Sequence, residues 1–402
     1  MSDIQPQTNN QNTNIYKPVL KVLGLGGGGS NAVTRMIELG MSGVEFIAAN
    51  TDLQVLKSNP APRKILMGPH VSRSLGAGGD PRIGRAAAEE SSKEIAAALS
   101  GADMVFLTAG MGGGTGTGAI PVAAEIARKL GAVTISIVTR PFSFEMGRRQ
   151  RNASEGIALL QKQSDTLITI PNDRLLFVAD RHLPLEMAFR LADDVLRQAV
   201  QGISELITEP GMINVDFSHI RRLMKLGGGA LMAIGYGQGE DKASRAIDQA
   251  LHHPMIDSVP LEHAAGVIAN FTGGPDMTLF EVEAALTRLQ EQTSSQTEIV
   301  LGIINDDRLE GRVQVTLIVT GLGAPTLEEA LSKVARPQPA EVKTEPLQSA
   351  LAPHTSMPGT PVIEFAPSEP SISIPVTPLK VSPSNNDIDL PAFLRRRVRY
   401  AG

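Results

Sequence analysis

Two glycine-rich segments of the chain have the composition of phosphate-binding loops. The first reads Gly24-Leu-Gly26-Gly-Gly-Gly29, and the second, at 110–118, reads GMGGGTGTG. Glycine lets the backbone curl tightly and bring its N–H groups against a ligand, and a loop that opens a helix adds the positive end of the helix dipole. The second segment therefore predicts a phosphate site, in which Thr115 and Thr117 could donate hydroxyl hydrogen bonds and also cap the helix.

The charge balance of such a site predicts a bound cation. Neither segment contains a lysine or the Gly-Lys-Ser/Thr sequence of a Walker P-loop. Backbone N–H groups, helix dipoles and Mg²⁺ held through the phosphates would then balance the negative charge. The first segment alone is a weak signal, because the same pattern also marks dinucleotide enzymes and occurs in plain tight turns. However, a dinucleotide fold uses one such loop, whereas two loops at strand ends can hold one polyphosphate from two sides.

Alternating apolar strands and helical patterns must position these loops. Strands are predicted at 19–25, 44–49, 103–108, 133–139 and 166–170, and helices at 30–40, 81–99 and 115–130. Repeated strand–loop–helix units of this kind predict a Rossmann-like parallel sheet with helices on both faces. This region, 18–182, is the predicted nucleotide-binding domain.

A long central helix at 183–208 is predicted to lead to a smaller α/β domain at 209–325. Apolar residues recur along this helix at spacings of three and four: Leu183, Met187, Leu191, Val195, Ala199, Ile203 and Leu206. The smaller domain is predicted to contain strands at 231–236, 266–271, 299–304 and 313–320, with helices at 241–251 and 278–291.

Composition excludes several classes of protein and site. The chain of 402 residues has a formal net charge of −5, 3% aromatic residues and no cysteine. These values argue against nucleic acid as a partner and exclude disulfides and thiolate metal sites. No run approaches the roughly 20 apolar residues of a membrane span. His252 and His253 are adjacent on a predicted helix and point in different directions, so no metal site is predicted.

The two ends of the chain are predicted to lie outside the folded domains. Residues 1–17 are rich in Asn and Gln, which predicts a disordered tail rather than a signal peptide. Eleven of the 27 prolines fall in 331–384, which predicts a disordered linker. The linker leads to the segment 385–402, in which Asp387-Ile-Asp-Leu-Pro-Ala-Phe-Leu394 precedes three arginines. An apolar cluster at the end of such a tether predicts a docking peptide.

Six motifs of the chain, taken together, resemble the FtsZ family, the tubulin-like GTPases of bacterial cell division. They are Gly26–Gly29, Asn50-Thr-Asp52, the segment 110–118, Pro141-Phe-Ser-Phe-Glu145, Pro171-Asn-Asp173 and Asn214-Val-Asp216. The resemblance covers about residues 19–323 and the terminal peptide. It implies a tubulin-like fold and binding of GTP or GDP. The residues implied to bind nucleotide are Gly26, Gly27, Gly28, Gly29, Asn31, Asn50, Gly76, Ala77, Gly78, Gly110, Gly112, Gly113, Gly114, Thr115, Gly116, Thr117, Gly118, Glu145, Arg149, Asn172, Phe189 and Asp193.

The chemistry of several of these residues is compatible with guanine nucleotide. Phe189 and Asp193 are four residues apart on the long helix, so they share a face. A carboxylate there can accept both N1–H and the exocyclic N–H of guanine, and Phe189 can stack on the base. The alternative is a core phenylalanine beside a solvated aspartate. Glu145 and Arg149 are implied to contact ribose and phosphate, and otherwise form an ordinary helix ion pair.

The resemblance also implies that hydrolysis needs two subunits. In the family, the next subunit of a head-to-tail filament inserts an acidic loop that positions the attacking water. The matching residues are Asn214, Asp216 and His219, the last standing where the family normally has aspartate. A histidine can accept a proton or bond a water but does not replace the negative charge. The hypothesis is slow hydrolysis through Asp216. The local alternative is that Asp216 caps a helix and His219 is exposed in its first turn.

The sequence therefore predicts a self-polymerising GTPase at the cytoplasmic division site. Its partners would be further copies of itself and membrane-tethering division proteins that bind Asp387–Arg397, with Phe393 and Leu394 as apolar anchors. The terminal arginines could add weak contact with a membrane surface. Two alternatives stay open. One is a slowly or non-hydrolysing paralogue that co-polymerises with an active relative. The other is an NAD-dependent oxidoreductase that uses Gly24–Gly29 with Asp52 as the ribose ligand.

Overall fold

The computed structural model describes residues 17–322 apart from 146, 177–181, 183, 210, 214, 227, 254–260 and 296. Residues 1–16, the predicted linker and docking peptide, and Asn214 lie outside the described residues. The predicted domain boundaries at 182, 208 and 325 stay predictions.

A mixed sheet of ten strands runs through the described residues, in the order β3-β2-β1-β4-β5-β6-β7-β10-β8-β9. The strands are β1 Leu20–Leu25, β2 Glu45–Asn50, β3 Arg63–Leu66, β4 Met104–Gly110, β5 Val133–Arg140, β6 Thr166–Pro171, β7 Gly229–Gln238, β8 Gly266–Gly273, β9 Glu298–Asn305 and β10 Arg312–Leu322.

The first seven strands along this order are parallel, as the strand–helix alternation predicts. β10 is antiparallel to both β7 and β8, and β9 returns parallel to β8. β6 and β7 pair only through Leu167 with Gly229 and Ile168 with Ala230. One sheet therefore continues from the first α/β part into the smaller α/β part through this short pairing.

Twelve α-helices cover the sheet within the described residues. They are α1 Gly26–Glu38, α2 Leu53–Ser58, α3 Pro69–Ser72, α4 Pro81–Glu90, α5 Ser92–Leu99, α6 Thr115–Lys129, α7 Arg148–Gln161, α8 Asn172–Leu175, α9 Leu185–Thr208, α10 Phe217–Met224, α11 Lys242–Leu251 and α12 Leu279–Glu291. Short 3₁₀ turns lie at Leu261–His263 and Asp307–Leu309.

Two helices differ from the prediction. α1 begins at Gly26 rather than at residue 30, so the first glycine segment forms the first turn of the helix. The helix predicted at 81–99 is divided at Ser91 into α4 and α5. The Ser91 hydroxyl accepts a hydrogen bond from the buried backbone N–H of Gly68 at 3.0 Å. This contact comes from a distant part of the chain, which local sequence patterns do not report.

The core packs in three clusters that hold the strand ends in place. α1 and α9 pack on one face of the parallel strands, α4, α5 and α6 on the other, and α11 and α12 on the strands of the smaller part. In its first half α9 buries Ala188, Ala192 and Leu196 rather than the predicted Leu191 and Val195, which are only partly buried. Small residues at this position allow α9 to approach α1 closely.

Candidate functional site

A cleft with a volume of about 380 Å³ lies where β1, β4, β5 and β6 end. Ligands of open α/β sheets bind outside the carboxyl ends of parallel strands, and this volume is that of a small-molecule site. Thirteen of the predicted nucleotide-binding residues line it: Gly27, Gly28, Asn31, Gly110, Gly113, Gly114, Thr115, Gly116, Glu145, Arg149, Asn172, Phe189 and Asp193.

The two glycine segments pack directly against one another at the base of the cleft. Gly26 has a φ of +70°, and a Cβ atom there would lie 2.6 Å from the backbone nitrogen of Gly116. A Cβ atom on Gly28 would lie 3.0 Å from the nitrogen of Gly110. In contrast, Gly27 and Gly113 have no protein atom within 4 Å of such a Cβ position. Backbone therefore forms one continuous cradle, and two of its glycines are open towards the cleft.

The two threonines of the second segment have different positions. The Thr117 hydroxyl is buried and accepts a hydrogen bond from the backbone N–H of Gly112 at 2.9 Å, so it fixes the loop from behind. Thr115 is the first residue of α6 and lines the cleft, and its hydroxyl lies 2.6 Å from that of Thr51. The N-terminus of α6 thus meets the cleft with backbone N–H groups and one hydroxyl.

Phe189 and Asp193 both line the cleft, as their spacing on α9 predicts. The Phe189 side chain is 40% exposed, so one part of its ring is open to a ligand. Burial raises the pKa of Asp193 from 3.8 to about 7; Arg35 opposes this shift and Asp194 adds to it. The carboxyl group is therefore destabilised in its ionised form until hydrogen-bond donors reach it. Asp193 is not a solvated residue of an exposed helix face.

Asn172 offers a buried acceptor without a partner. It is the first residue of α8, directly after β6, and its side chain is 5% exposed. Within the described residues its Oδ1 atom accepts no hydrogen bond. A buried polar atom is normally paired, so this oxygen fits a hydroxyl or N–H group of a bound ligand.

Glu145 and Arg149 form the predicted ion pair at the rim of the cleft. Their Oε2 and Nε atoms are 3.0 Å apart. The Oε1 atom of Glu145 also accepts the backbone N–H of Phe142 at 2.9 Å. Both side chains line the cleft while they are paired, so the carboxylate holds Arg149 at the rim.

The remaining predicted nucleotide-binding residues do not line the cleft in the single chain. Asn50 is buried, and its Oδ1 atom accepts the backbone N–H groups of Thr51 and Asp52. A Cβ atom on Gly114 would lie 2.8 Å from Cβ of Ala77, so this alanine supports the second glycine segment from behind. The predicted residues that do not line the cleft are Gly26, Gly29, Asn50, Gly76, Ala77, Gly78, Gly112, Thr117 and Gly118.

Four lining residues were not among the predicted nucleotide contacts: Met111 and Pro141, which fall within quoted motifs, and Thr139 and Ala192, which do not. Thr139 and Pro141 lie at the end of β5, where the rule for strand ends would have found them. Ala192 lies between Phe189 and Asp193 on the same helix, but alanine carries no chemical signal.

Asp216 and His219 do not line the cleft. Asp216 caps α10 by accepting the backbone N–H of Ser218 at 2.8 Å, and this bond lowers the pKa of its carboxyl group. His219 donates its backbone N–H to the carbonyl of Asp216 at 3.0 Å. α9 continues for 15 residues from Asp193 to Thr208, which is about 22 Å at 1.5 Å per residue. The cleft and Asp216 therefore lie towards opposite ends of α9.

Other features bear on the alternatives. The carboxylate of Asp52 accepts the backbone N–H groups of Gln54 and Val55 and caps α2, so it is engaged rather than presented to a ribose. Within the described residues, no group of three His, Cys, Asp or Glu side chains is placed to ligate a metal. Across the same part of the chain, no helix combines the length and apolarity needed to span a bilayer.

Comparisons with known proteins agree with this geometry. Residues 19–180 match the family model "Tubulin/FtsZ family, GTPase domain" and residues 228–323 match "FtsZ family, C-terminal domain". The solved "FtsZ dimer, empty" of M. jannaschii is 43% identical, with a TM-score of 0.73 over 76% of this chain and 89% of that chain.

A point mutant of the M. jannaschii FtsZ is also 43% identical, with a TM-score of 0.72 over 76% of this chain and 92% of that chain. CetZ2 of Haloferax volcanii, solved as a GTPγS-bound protofilament, shares the fold at 21% identity, with a TM-score of 0.65 over 78% of this chain and 96% of that chain. Both family models and the 43% identity over most of the solved chains lead to one conclusion: the chain belongs to the FtsZ family of tubulin-like GTPases.

Proposed function

We propose that this protein binds GTP in the cleft, polymerises head to tail and hydrolyses GTP where two copies meet. Its biological role would be a cytoplasmic filament ring at the site of bacterial cell division. One observation carries the proposal: the nucleotide cleft and the Asp216 loop lie towards opposite ends of the same helix. A cleft on one copy and a loop on the next form a heterologous contact, and such contacts generate open polymers.

The chemistry of the cleft supports guanine nucleotide. The Asp193 carboxylate would accept N1–H and the exocyclic N–H of guanine, a donor pair that adenine lacks. The ring of Phe189 would stack on the base. The unpaired Oδ1 atom of Asn172 would accept a ribose hydroxyl hydrogen bond, with Glu145 beside it. The glycine cradle and the α6 N-terminus would bind the phosphates, and Mg²⁺ would be held mainly through the phosphate oxygens.

The position of Asp216 supports hydrolysis between copies rather than within one. Its carboxylate would orient water against the γ-phosphate bound by the neighbouring copy, which is the positioning that phosphoryl transfer requires. Asn214 and His219 are proposed to share this loop's role.

Exposed apolar side chains near the second glycine segment and beyond the end of α9 support contact between copies. Leu75, beside Gly76, is 82% exposed, and Met212, beyond the end of α9, is 74% exposed. Two of the related proteins were solved as a dimer and as a protofilament.

A mixing experiment tests catalysis between copies. The first variant, Asp216→Ala, retains its cleft, and the second, Gly113→Asp, retains its loop but places a carboxylate where phosphate would bind. Each variant alone should release little phosphate from GTP. An equimolar mixture should recover part of the wild-type rate, because the intact loop of one variant meets the intact cleft of the other. A mixture no faster than the separate variants would refute hydrolysis between copies.

His219 favours a second candidate function, a slowly or non-hydrolysing paralogue that co-polymerises with an active relative. Sedimentation of the purified protein with GTP, GDP and a non-hydrolysable analogue, with phosphate counted in parallel, separates the two. Phosphate release with pelleting supports the GTPase, whereas pelleting without release supports the paralogue. Thermal shift with GTP and with NAD tests the oxidoreductase alternative, which requires stabilisation by NAD alone.

The terminal peptide supplies the proposed link to the membrane. Phe393 and Leu394 would be apolar anchors in a membrane-tethering division protein, and Arg395–Arg397 would meet acidic partner residues or anionic lipid. Removal of 385–402 should abolish recruitment to the division site and leave GTP-dependent pelleting intact.

A further inference from the structure

We propose that Phe142 is a positioning residue for base recognition, and that its ring holds Phe189 in the orientation that stacks on guanine. This inference rests on the proposed function, because it requires the cleft to bind a guanine nucleotide. Phe142 itself does not line the cleft, and its side chain is 0% exposed. It would therefore act through Phe189 rather than on the ligand.

The ring contacts carry the first step. The centroids of Phe142 and Phe189 are 5.6 Å apart, with an interplanar angle of 79°, which is an edge-to-face pair. Phe144 stacks on Phe142 with centroids 5.0 Å apart and an interplanar angle of 12°. A partly exposed phenylalanine has several rotamers open to it. Contact with a buried, fixed ring restricts Phe189 to orientations compatible with the edge-to-face geometry.

Phe142 can position another ring only if it is itself fixed, and the hydrogen bonds of its loop, residues 141–145, fix it. Its backbone N–H donates to Glu145, and its carbonyl accepts a hydrogen bond from the Gln150 side chain at 2.9 Å. The next residue, Ser143, donates from its backbone N–H and its hydroxyl to the Asp173 carboxylate. These bonds tie the loop to α7 and to α8.

One loop thereby connects the three proposed contacts for base and sugar. Phe142 fixes Glu145 through its backbone and contacts Phe189 through its ring, and Ser143 bonds to the residue that follows Asn172. The base stacker would then be oriented before the ligand arrives, so binding would not have to restrict its side-chain rotation.

The experiment is a double-mutant cycle on nucleotide-stripped protein, with GDP affinity measured by calorimetry. GDP is the probe because its binding involves no hydrolysis. The variants are Phe142→Leu, Phe189→Leu and the double variant. Phe142→Leu alone should weaken GDP binding about threefold to tenfold. In the Phe189→Leu background the same change should have almost no effect, because the ring on which Phe142 acts is already absent.

A matched control separates positioning from loss of stability. Phe271→Leu makes the same change at a fully buried phenylalanine on β8, away from the cleft. It should lower the thermal midpoint as Phe142→Leu does, yet leave the GDP affinity unchanged. If Phe142→Leu proves too unstable to study, Phe142→Met keeps the buried volume and removes the ring.

The outcomes distinguish the two proposals. Wild-type protein without GDP affinity would refute the proposed function. Wild-type protein that binds GDP, with a Phe142 variant that binds equally well or with additive losses in the cycle, would overturn the positioning role alone. Equal losses of affinity in the Phe142 and Phe271 variants would also overturn it, since general destabilisation would then suffice.

Discussion

Replacement of Asp193 by asparagine should stabilise the nucleotide-free protein while it destroys nucleotide recognition. Burial raises the pKa of this carboxyl group from 3.8 to about 7, and each pKa unit corresponds to about 1.4 kcal/mol. Ionised Asp193 therefore lowers the free energy of unfolding by about 4 kcal/mol. Asparagine has nearly the same shape and carries no charge, so Asp193→Asn should remove this cost.

The sign of the pH dependence follows from the direction of the shift. The folded state holds the proton more tightly than the unfolded state, so stability falls as pH rises from 3.8 to about 7 and changes little above that. The stabilisation by Asp193→Asn should be about 4 kcal/mol at pH 8 and about 1.6 kcal/mol at pH 5. Denaturant unfolding of stripped wild-type and variant protein at the two pH values measures this difference.

Nucleotide affinity should show the opposite preference for charge. Guanine supplies two N–H donors, which favour the carboxylate. Wild-type affinity for GDP should therefore fall about tenfold between pH 8 and pH 6, whereas Asp193→Asn should bind weakly at both. Asp194→Asn is the matched control. Asp194 bonds to Arg197 at 2.7 Å, so its replacement should lower stability. A destabilised Asp193→Asn protein at pH 8, or a pH-independent wild-type affinity, would refute the reasoning.

Three further predictions concern single side chains. Gly113→Ala should weaken GDP binding, measured by calorimetry, at least about tenfold. It should not lower the free energy of unfolding, because its Cβ would meet no protein atom within 4 Å. Gly118→Ala, with a Cβ 2.0 Å from the Pro81 carbonyl oxygen, should instead unfold, as denaturant titration would show. Asn172→Leu should leave the nucleotide-free protein as stable as the wild type or up to about 1 kcal/mol more stable, because it removes an unpaired buried oxygen. If this variant bound GDP as tightly as the wild type, that result would count against a ligand role for Asn172. His219→Asp should raise phosphate release several-fold at equal polymer mass in a pelleting assay, and an unchanged rate would remove the hypothesis that this histidine slows hydrolysis.

Much of the fold was predictable because its signals are local. Apolar runs of five to eight residues indicated the strands, and Pro81 indicated the start of α4, which Asp80 caps in the structure. The divisions that the sequence concealed depend on contacts between distant residues. At Ser91, where the helix divides, the hydroxyl accepts the backbone N–H of Gly68, which lies 23 residues earlier in the chain. The buried stripe of α9 follows Ala188 and Ala192 because α1 packs there, although leucine and valine positions dominate the pattern.

Sequence reasoning could predict the parts of the site in which the residue type itself suggests a chemical role. It could not predict the parts that depend only on where a residue lies in the fold. The family resemblance pointed to Phe189 and Asp193, and their spacing then placed a ring and a carboxylate on one helix face. Asn50 and Ala77 do not line the cleft of the single chain: Asn50 accepts the backbone N–H of Thr51, and Ala77 contacts Gly114. Their predicted role in nucleotide binding stays a prediction. Phe142 is an ordinary apolar residue in sequence. Its proposed role depends on a ring contact with α9, 47 positions along the chain, that only the assembled fold reveals.

The cleft contains features that cost stability until a ligand binds. Asp193 is partly buried with its charge disfavoured, and the Oδ1 atom of Asn172 lacks a hydrogen-bond partner within the described residues. Packing explains neither feature, because asparagine at position 193 or leucine at position 172 should give a more stable nucleotide-free protein. Both are relieved by the same event, the arrival of N–H and hydroxyl donors from a nucleotide. Nucleotide should therefore stabilise the fold through the residues that recognise it, and the stripped protein is the state in which substitution of either should improve stability.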